Sequence, residues 1–468
     1  MIVKQKVKVK ASPAKRFFVE MLTRDIELKD SILDLLDNCV DGVMRENKGA
    51  LQHNKPYDGF YAEIDFDKDK FSIKDNCGGI PKGVALDRAF RMGRPDKETD
   101  KDIPTVGVYG IGMKRAIFKM GREATVTSYR EDGSYCVGIS PEWIDDDIDW
   151  DLPIEDLDHD ASKDAGVEIS VESIYPGVGR LFSDATAFED DLKKSISAYY
   201  GNIIQKGFSV YVNGDIVSPT TSKFILNQKS FDSGQGIAPY IYVGSLHGVT
   251  VELAVGFYRN LPTDEEQENS LAGRPTSEQA GWTLICNDRV VLYADKSKVT
   301  GWGEAGVPAY HTQFVSIAGI VSFRSNDASL LPVTTTKRGI DGNSDIYLSI
   351  KEFMREGVKL FTDYTNKWKV PSSDRPEMAE QASQSTVGQM VKMVPTAMWS
   401  QDRKSVIKGQ KFKPTLPMPT KSAEYRFLRF SKPVEDIRAL GEYFFDDPDH
   451  APGEIGGACF DEVMKGVE

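Results

Sequence analysis

The chain has 468 residues, of which 40% are hydrophobic and 28% charged, and it carries a formal net charge of −13. This is long enough for two or three domains with cores of their own, and the balance excludes a disordered or fibrous protein. The acidic excess argues against a protein that coats nucleic acid with its whole surface, and no apolar run approaches the roughly 18–20 residues that cross a bilayer.

Five scattered cysteines with no CxxC pair exclude a disulfide framework or a zinc site and point to reduced thiols. The lysine-containing N-terminus has no apolar core behind it and is not a secretory signal, so the expectation is a soluble, cytoplasmic protein with no membrane partner.

In chain order, residues 24–48 predict one long amphipathic helix. Leu28, Ile32, Leu35, Leu36 and Val43 recur at helical spacing, with Asp30, Asp34, Asn38, Asp41 and Arg45 on another face. Strands are predicted at Tyr61–Phe66 and Lys70–Lys74, the second running into a glycine-rich turn. A polar segment at 91–102 and the glycine cluster Gly107–Gly112 precede a helix at Met113–Lys119 and a strand at Ala124–Tyr129.

Ile144–Asp164 reads as an acidic surface insertion. Beyond it a strand at Val167–Val171, a helix at Phe188–Tyr200 and a strand at Phe208–Val212 are predicted, the last closing on an Asn213-Gly214 turn. A second mixed α/β region spans 225–370, the stretch 371–420 reads as a linker or basic arm, and a short module closes the chain with a helix near Val434–Phe444.

Three segments carry the chemistry. On a helix, Asp34, Asn38 and Asp41 stand at i, i+4 and i+7, so one face offers a carboxylate to orient water, an amide oxygen for Mg²⁺ and a supporting carboxylate. Asp75-Asn76-Cys77-Gly78-Gly79-Ile80 follows a strand, where a carboxylate can accept from an adenine amino group and Gly79 permits close approach. Gly107-Val108-Tyr109-Gly110-Ile111-Gly112-Met113-Lys114 places glycines before a helix, as a cradle of backbone N–H groups for phosphate requires. A solvated polar stripe, an Asp/Asn/Gly turn and a bare glycine cluster are the alternatives for each segment taken alone.

In this order and spacing the three segments resemble the boxes of the GHKL superfamily, which includes gyrase-type topoisomerases, the ninety-kilodalton heat-shock chaperones, MutL and the MORC ATPases. The run from Val106 to Ser128 looks most like the MORC form of the phosphate loop. The resemblance implies an α+β chain. A Bergerat-type α/β sandwich over 1–222 would be followed by a transducer α/β domain over 223–370, an arm over 371–420 and a small extension over 421–468.

By the same resemblance Asn38 ligates Mg²⁺ and Asp75 binds the adenine of ATP, with Gly79 beside it. Gly107, Tyr109, Gly110, Ile111, Gly112, Met113 and Lys114 wrap the phosphates, and Asp34 stands in the place of the general base. Lys337, in the loop Leu331–Gly339, is the candidate transducer lysine that meets the terminal phosphate, with Arg338 as runner-up; an exposed loop lysine is the alternative.

Trp282–Val291 looks like the transducer strand that carries an Asn-x-Arg turn in MutL-like proteins. Three departures stand out: Asp34 is a methylene shorter than the family's Glu, Cys77 replaces a glycine, and Val167 replaces a Thr beside the adenine. They imply preserved ATP binding with slow hydrolysis.

The implied role is an ATP-gated homodimer acting in DNA transactions or anti-phage defence with a partner effector protein. The basic stripe at 392–432 is the candidate DNA contact. The rival readings are an ATP sensor with little hydrolysis and a chaperone-like scaffold for a protein partner.

Overall fold

A computed structural model describes residues 14–47, 55–93, 110–158, 160, 162–221, 223–226, 236–261, 279–334, 336–368, 383–402, 407–417, 428 and 430–467. Within them the chain is a mixed α/β protein, with helices on an eight-stranded sheet followed by a second α/β unit around a seven-stranded sheet.

The first sheet is ordered β5-β4-β3-β6-β2-β1-β7-β8. Its strands are β1 (Tyr61–Phe66), β2 (Phe71–Asp75), β3 (Gly121–Tyr129), β4 (Ser134–Ile139), β5 (Ile154–Leu157), β6 (Gly166–Ile174), β7 (Ser209–Val212) and β8 (Asp215–Ile216). Alternation sets its buried face: Ala62, Ile64 and Phe66 of β1 and Phe71 and Ile73 of β2 are buried, while Glu63 and Asp65 are not. The β7–β8 hairpin closes through Asn213 and Gly214, both at positive φ, the two-residue turn expected of an Asn-Gly pair.

The helices α1 (Lys15–Arg24), α2 (Leu28–Glu46), α3 (Lys82–Val84), α4 (Gly112–Met120), α5 (Pro141–Asp145), α6 (Pro176–Ser183), α7 (Ala185–Tyr199) and α8 (Gly201–Gln205) belong to this first unit. One apolar core joins α2, α4, α6 and α7 to the buried face of the sheet.

One expectation changes here. The acidic stretch Ile144–Asp164 is more than a surface insertion: β5 pairs antiparallel with β4 and extends the sheet. The backbone carbonyls of Trp143 and Asp149 accept from the buried Lys15 ammonium and tie α1 down. A local reading misses this because the sheet edge that β5 joins lies about twenty residues upstream.

The second sheet is ordered β13-β12-β14-β11-β10-β17-β16. After the short β9 (Phe224–Leu226), its strands are β10 (Tyr240–Leu246), β11 (Val249–Phe257), β12 (Gly281–Cys286), β13 (Arg289–Asp295) and β14 (Ile317–Arg324). Then β15 (Ser383–Ser385) pairs with β9, while β16 (Ser400–Asp402) and β17 (Lys408–Phe412) return to the sheet. The long helix α9 (Asp345–Lys367) buries Ile350, Phe353, Met354, Val358 and Phe361 against one face. The other face packs on α10 (Val387–Met393) and on Tyr199 of the first unit.

Within the stretch expected as a linker or arm, β17 runs antiparallel to β10 and buries Ile407 and Phe412 nearby. Its polar sequence conceals a strand because only one side of it meets the core. The chain ends in a helical hairpin, α11 (Val434–Phe445) and α12 (Pro452–Met464), joined through Gly441 and Ile455.

Candidate nucleotide site

Helix α2 is central. At about 100° per residue, Asp30, Asp34, Asp37 and Asp41 share roughly 60° of arc, with Asn38 at its rim. This stripe is not solvated: Asp34, Asp37 and Asp41 are only 2%, 1% and 1% exposed, whereas Asn38 is exposed. Other parts of the fold cover Asp34 and Asp37, and each of these covers is specific.

Asp34 is met by α4. Gly112, the first residue of that helix, lies so close that a Cβ on it would sit 3.4 Å from the Asp34 Cβ. One turn later Arg115 pairs its Nη2 with Asp34 Oδ2. Burial pushes the Asp34 pKa above the ordinary carboxylate range, and the charge of Asp37 adds to this, while Lys337 and Arg115 pull the other way.

Asp75 ends β2. Its Oδ1 accepts from the backbone N–H of Cys77 at 2.8 Å and of Val167 at 3.2 Å. Burial raises its pKa, and these bonds oppose the rise. Gly166 lets β6 come this close, since any Cβ there would collide with the Asp75 carbonyl oxygen.

Gly78 and Gly79 both take positive φ, at 96° and 69°, and a Cβ on Gly79 would lie 2.7 Å from the Tyr129 carbonyl oxygen. Cys77 needs no such conformation, so the turn tolerates it. Its thiol is buried, with Sγ 3.8 Å from the Tyr61 carbonyl oxygen. At Val167 a backbone N–H makes the polar contact, and the missing hydroxyl leaves Asp75 held.

Gly110, Ile111, Gly112 and Met113 form the entry to α4, with Gly110 at φ 68°. Gly107 and Tyr109, and nearly all of the expected lid at 91–106, lie outside the described residues. Lys114 is buried, and its ammonium donates to the carbonyls of Ala89 at 2.9 Å and of Gly110. It therefore ties Ala89 to the start of α4.

Lys337 comes from the second unit, in a loop where it holds φ at 57°. Its Nζ is 3.1 Å from Asp37 Oδ2, and the side chain is buried, unlike an exposed loop lysine. Burial disfavours its charge, but Asp37, Asp41 and Asp34 more than compensate, and its pKa rises. Arg338 lies alongside and pairs with Asp30 at 2.6 Å. The loop thus crosses the acidic stripe, with adjacent residues gripping it seven positions apart.

Four residues of this cluster were not singled out as site residues from the sequence. Asp37 receives Arg289 Nε at 2.8 Å and the Tyr200 hydroxyl at 2.6 Å on Oδ1. Burial would raise its pKa, yet Arg289, Lys337 and the Tyr200 bond hold it well below the usual carboxylate range. Arg115 is the fourth. The signal in Asp37 was its helical register with Asp30 and Asp34, and Arg289 is the arginine of the Asn-x-Arg turn noted in Trp282–Val291, though no site role was read from it; nothing local marks Tyr200 or Arg115.

This arrangement sets a buried carboxylate against a glycine-led helix start, a strand-end carboxylate beside two left-handed glycines and a cation entering from a second domain. Residues 26–166 match the profile of a family described as histidine kinase-, DNA gyrase B- and HSP90-like ATPase, which supports placing this part of the chain in the GHKL superfamily. No curated protein matches the chain. The match supports ATP binding and hydrolysis in general, and no helix among the described residues is long and apolar enough to cross a membrane.

Proposed function

We propose that the chain binds ATP with Mg²⁺ between α2, the Asp75–Gly79 turn and the start of α4, and hydrolyses it slowly to change the engagement of its two domains. The observation that carries this reading is the contact of Asp34 with Gly112 and Arg115, which joins the candidate base to the glycine-led helix start.

Asn38 fits a hard cation. It is an amide oxygen donor on the exposed rim of an otherwise buried acidic stripe, and Mg²⁺ is commonly held by few protein oxygens together with phosphate and water. When bound, the ion would offset negative charge on the phosphate oxygens.

Asp75, oriented by two backbone N–H groups, accepts from the adenine amino group. The Gly110–Lys114 segment, continued upstream by Gly107 and Tyr109, offers the N-terminus of α4 to phosphate. Asp34 takes the proton of the attacking water, and Asp41 supports the charge balance of the stripe. Lys337 supplies positive charge at the terminal phosphate.

A MORC- or MutL-like transducer role, with ATP-dependent homodimerisation and a partner effector in DNA transactions or anti-phage defence, is the setting this reading favours. Its support is the second α/β unit that delivers Lys337, with the basic residues of 392–432. Lys411 of that stripe pairs with Glu356 at 2.8 Å, so part of it is built into the sheet domain.

Turnover assays with nucleotide-binding controls test the reading. The expected result is that Asp34→Asn abolishes hydrolysis and keeps ATP binding, while Asp75→Asn weakens binding itself. Wild type that binds ATP without turning it over faster than Asp34→Asn makes the chain a sensor, and wild type that binds no ATP sinks the proposal. Light scattering with and without a non-hydrolysable ATP analogue tests dimerisation, and salt-dependent DNA binding tests the stripe.

A further inference from the structure

The tip of the β12–β13 hairpin is built to enter the first domain. Asn287 and Asp288 take φ of 46° and 68°, the two-residue turn that suits a twisted hairpin. Asn287 is pinned to the end of β14: its N–H donates to the Phe323 carbonyl at 3.0 Å, and its side-chain amide exchanges bonds of 3.0 Å with the Ser325 backbone. Asp288 meets Lys206 at 2.6 Å and the Tyr57 hydroxyl at 3.3 Å. Arg289, fully buried, binds Asp37 and lies 4.1 Å from the Tyr200 ring centroid.

One buried carboxylate therefore faces two cations from the second domain, Arg289 on Oδ1 and Lys337 on Oδ2. They are not equivalent. Arg289 is enclosed and its tip is anchored at several points, whereas Lys337 sits in a loop at 9% exposure. Were Lys337 the sole partner, its departure would strand an ionised carboxylate in the interior, which is strongly unfavourable. With Arg289 in place the carboxylate stays compensated when the lysine leaves.

We infer that Arg289 is a positioning residue for Lys337: by holding Asp37 compensated, it lets Lys337 exchange between Asp37 and the terminal phosphate of ATP. This rests on the ATP-binding reading above and adds to it a residue that sets how readily the lysine is released. Without Arg289, Asp37 retains Lys337, and the site loses its means of distinguishing ATP from ADP.

The test is the ratio of ATP to ADP affinity, measured by calorimetry on the full chain for wild type, Lys337→Ala, Arg289→Met, Asp37→Asn and the double variant Asp37→Asn/Arg289→Met. Wild type prefers ATP, and Lys337→Ala abolishes that preference. Arg289→Met lowers it at least about fivefold, the low end of typical coupling between sites, and the double variant restores it to within about twofold.

A merely structural Arg289 would lower both affinities together and leave their ratio unchanged. Should Arg289→Met fail to fold, the polar variant Arg289→Gln takes its place. A ratio lowered at least about fivefold there supports the exchange, and a wild-type ratio overturns it. Wild type with no nucleotide affinity overturns the ATP reading and this inference with it. An unchanged ratio in folded Arg289→Met overturns the inference alone.

Discussion

Asp34 and Arg115 face each other from neighbouring helices, and burial, opposed by this pairing, sets where the proposed base ionises. A base must be ionised, and burial holds the Asp34 pKa above the ordinary carboxylate range, so turnover should rise with pH through an acid limb displaced upward from that range. Arg115→Gln removes a group that lowers this pKa. It should shift the limb to still higher pH and lower kcat most on the acid side of the profile. A pH–rate profile of both proteins checks this; an unmoved limb removes Arg115 from the account.

Glycine positions give a second contrast at this scale. Gly79→Ala meets both a left-handed backbone and the Tyr129 carbonyl, and should cost about 1–3 kcal/mol of stability. Gly112→Ala makes only ordinary contact with Asp34 and should leave stability within about 1 kcal/mol of wild type. Urea denaturation of the two variants separates them.

Helix α2 is the element through which the halves of the molecule meet, since the Leu331–Gly339 loop and the β12–β13 tip both end on its acidic stripe. The stability this joint contributes depends on pH. Asp37 has a folded pKa below its unfolded value near ~3.9, so its contribution is complete above that value and is lost as pH falls through the folded one. Asp37→Asn should therefore destabilise by about 3–5 kcal/mol at neutral pH, because it leaves Arg289 and Lys337 without their carboxylate. The gap to wild type should narrow as pH drops below ~4. Urea melts across that range would show a constant gap if Asp37 were neutral in the folded chain.

At the scale of the whole molecule, the C-terminal third contains a part that completes the fold and a helical hairpin beyond it. Strand β17 covers the edge of β10 and brings Phe412 into the core around Met390 and Ile241. A chain ending at Ser400 should lose this cover, expose the strand edge and aggregate on size-exclusion chromatography. The α11–α12 hairpin buries little of its apolar surface, with Tyr443 at 77% and Val463 at 68% exposure. A chain ending at Lys432 should keep ATP binding and melt within a few degrees of the full chain; a large drop in Tm would show that the hairpin braces the fold.

Helical and alternating periodicity placed α2, β1, β2, α4, β3 and β6 within a few residues, because each buries one face against a core and its spacing records that face. The three boxes were legible only together, through their resemblance to a known family, because each alone also reads as a polar stripe, a turn or a bare glycine cluster. Local sequence could not show which carboxylate of α2 meets which cation. Asp37 contacts Tyr200, Arg289 and Lys337 across 163 to 300 residues of chain, and an exposed-looking polar stripe became buried because α4 and a second domain both fold over it. The sequence determined the parts and the chemistry each can offer. Only the tertiary structure decided their partners, because desolvation and charge pairing act between surfaces that folding brings together.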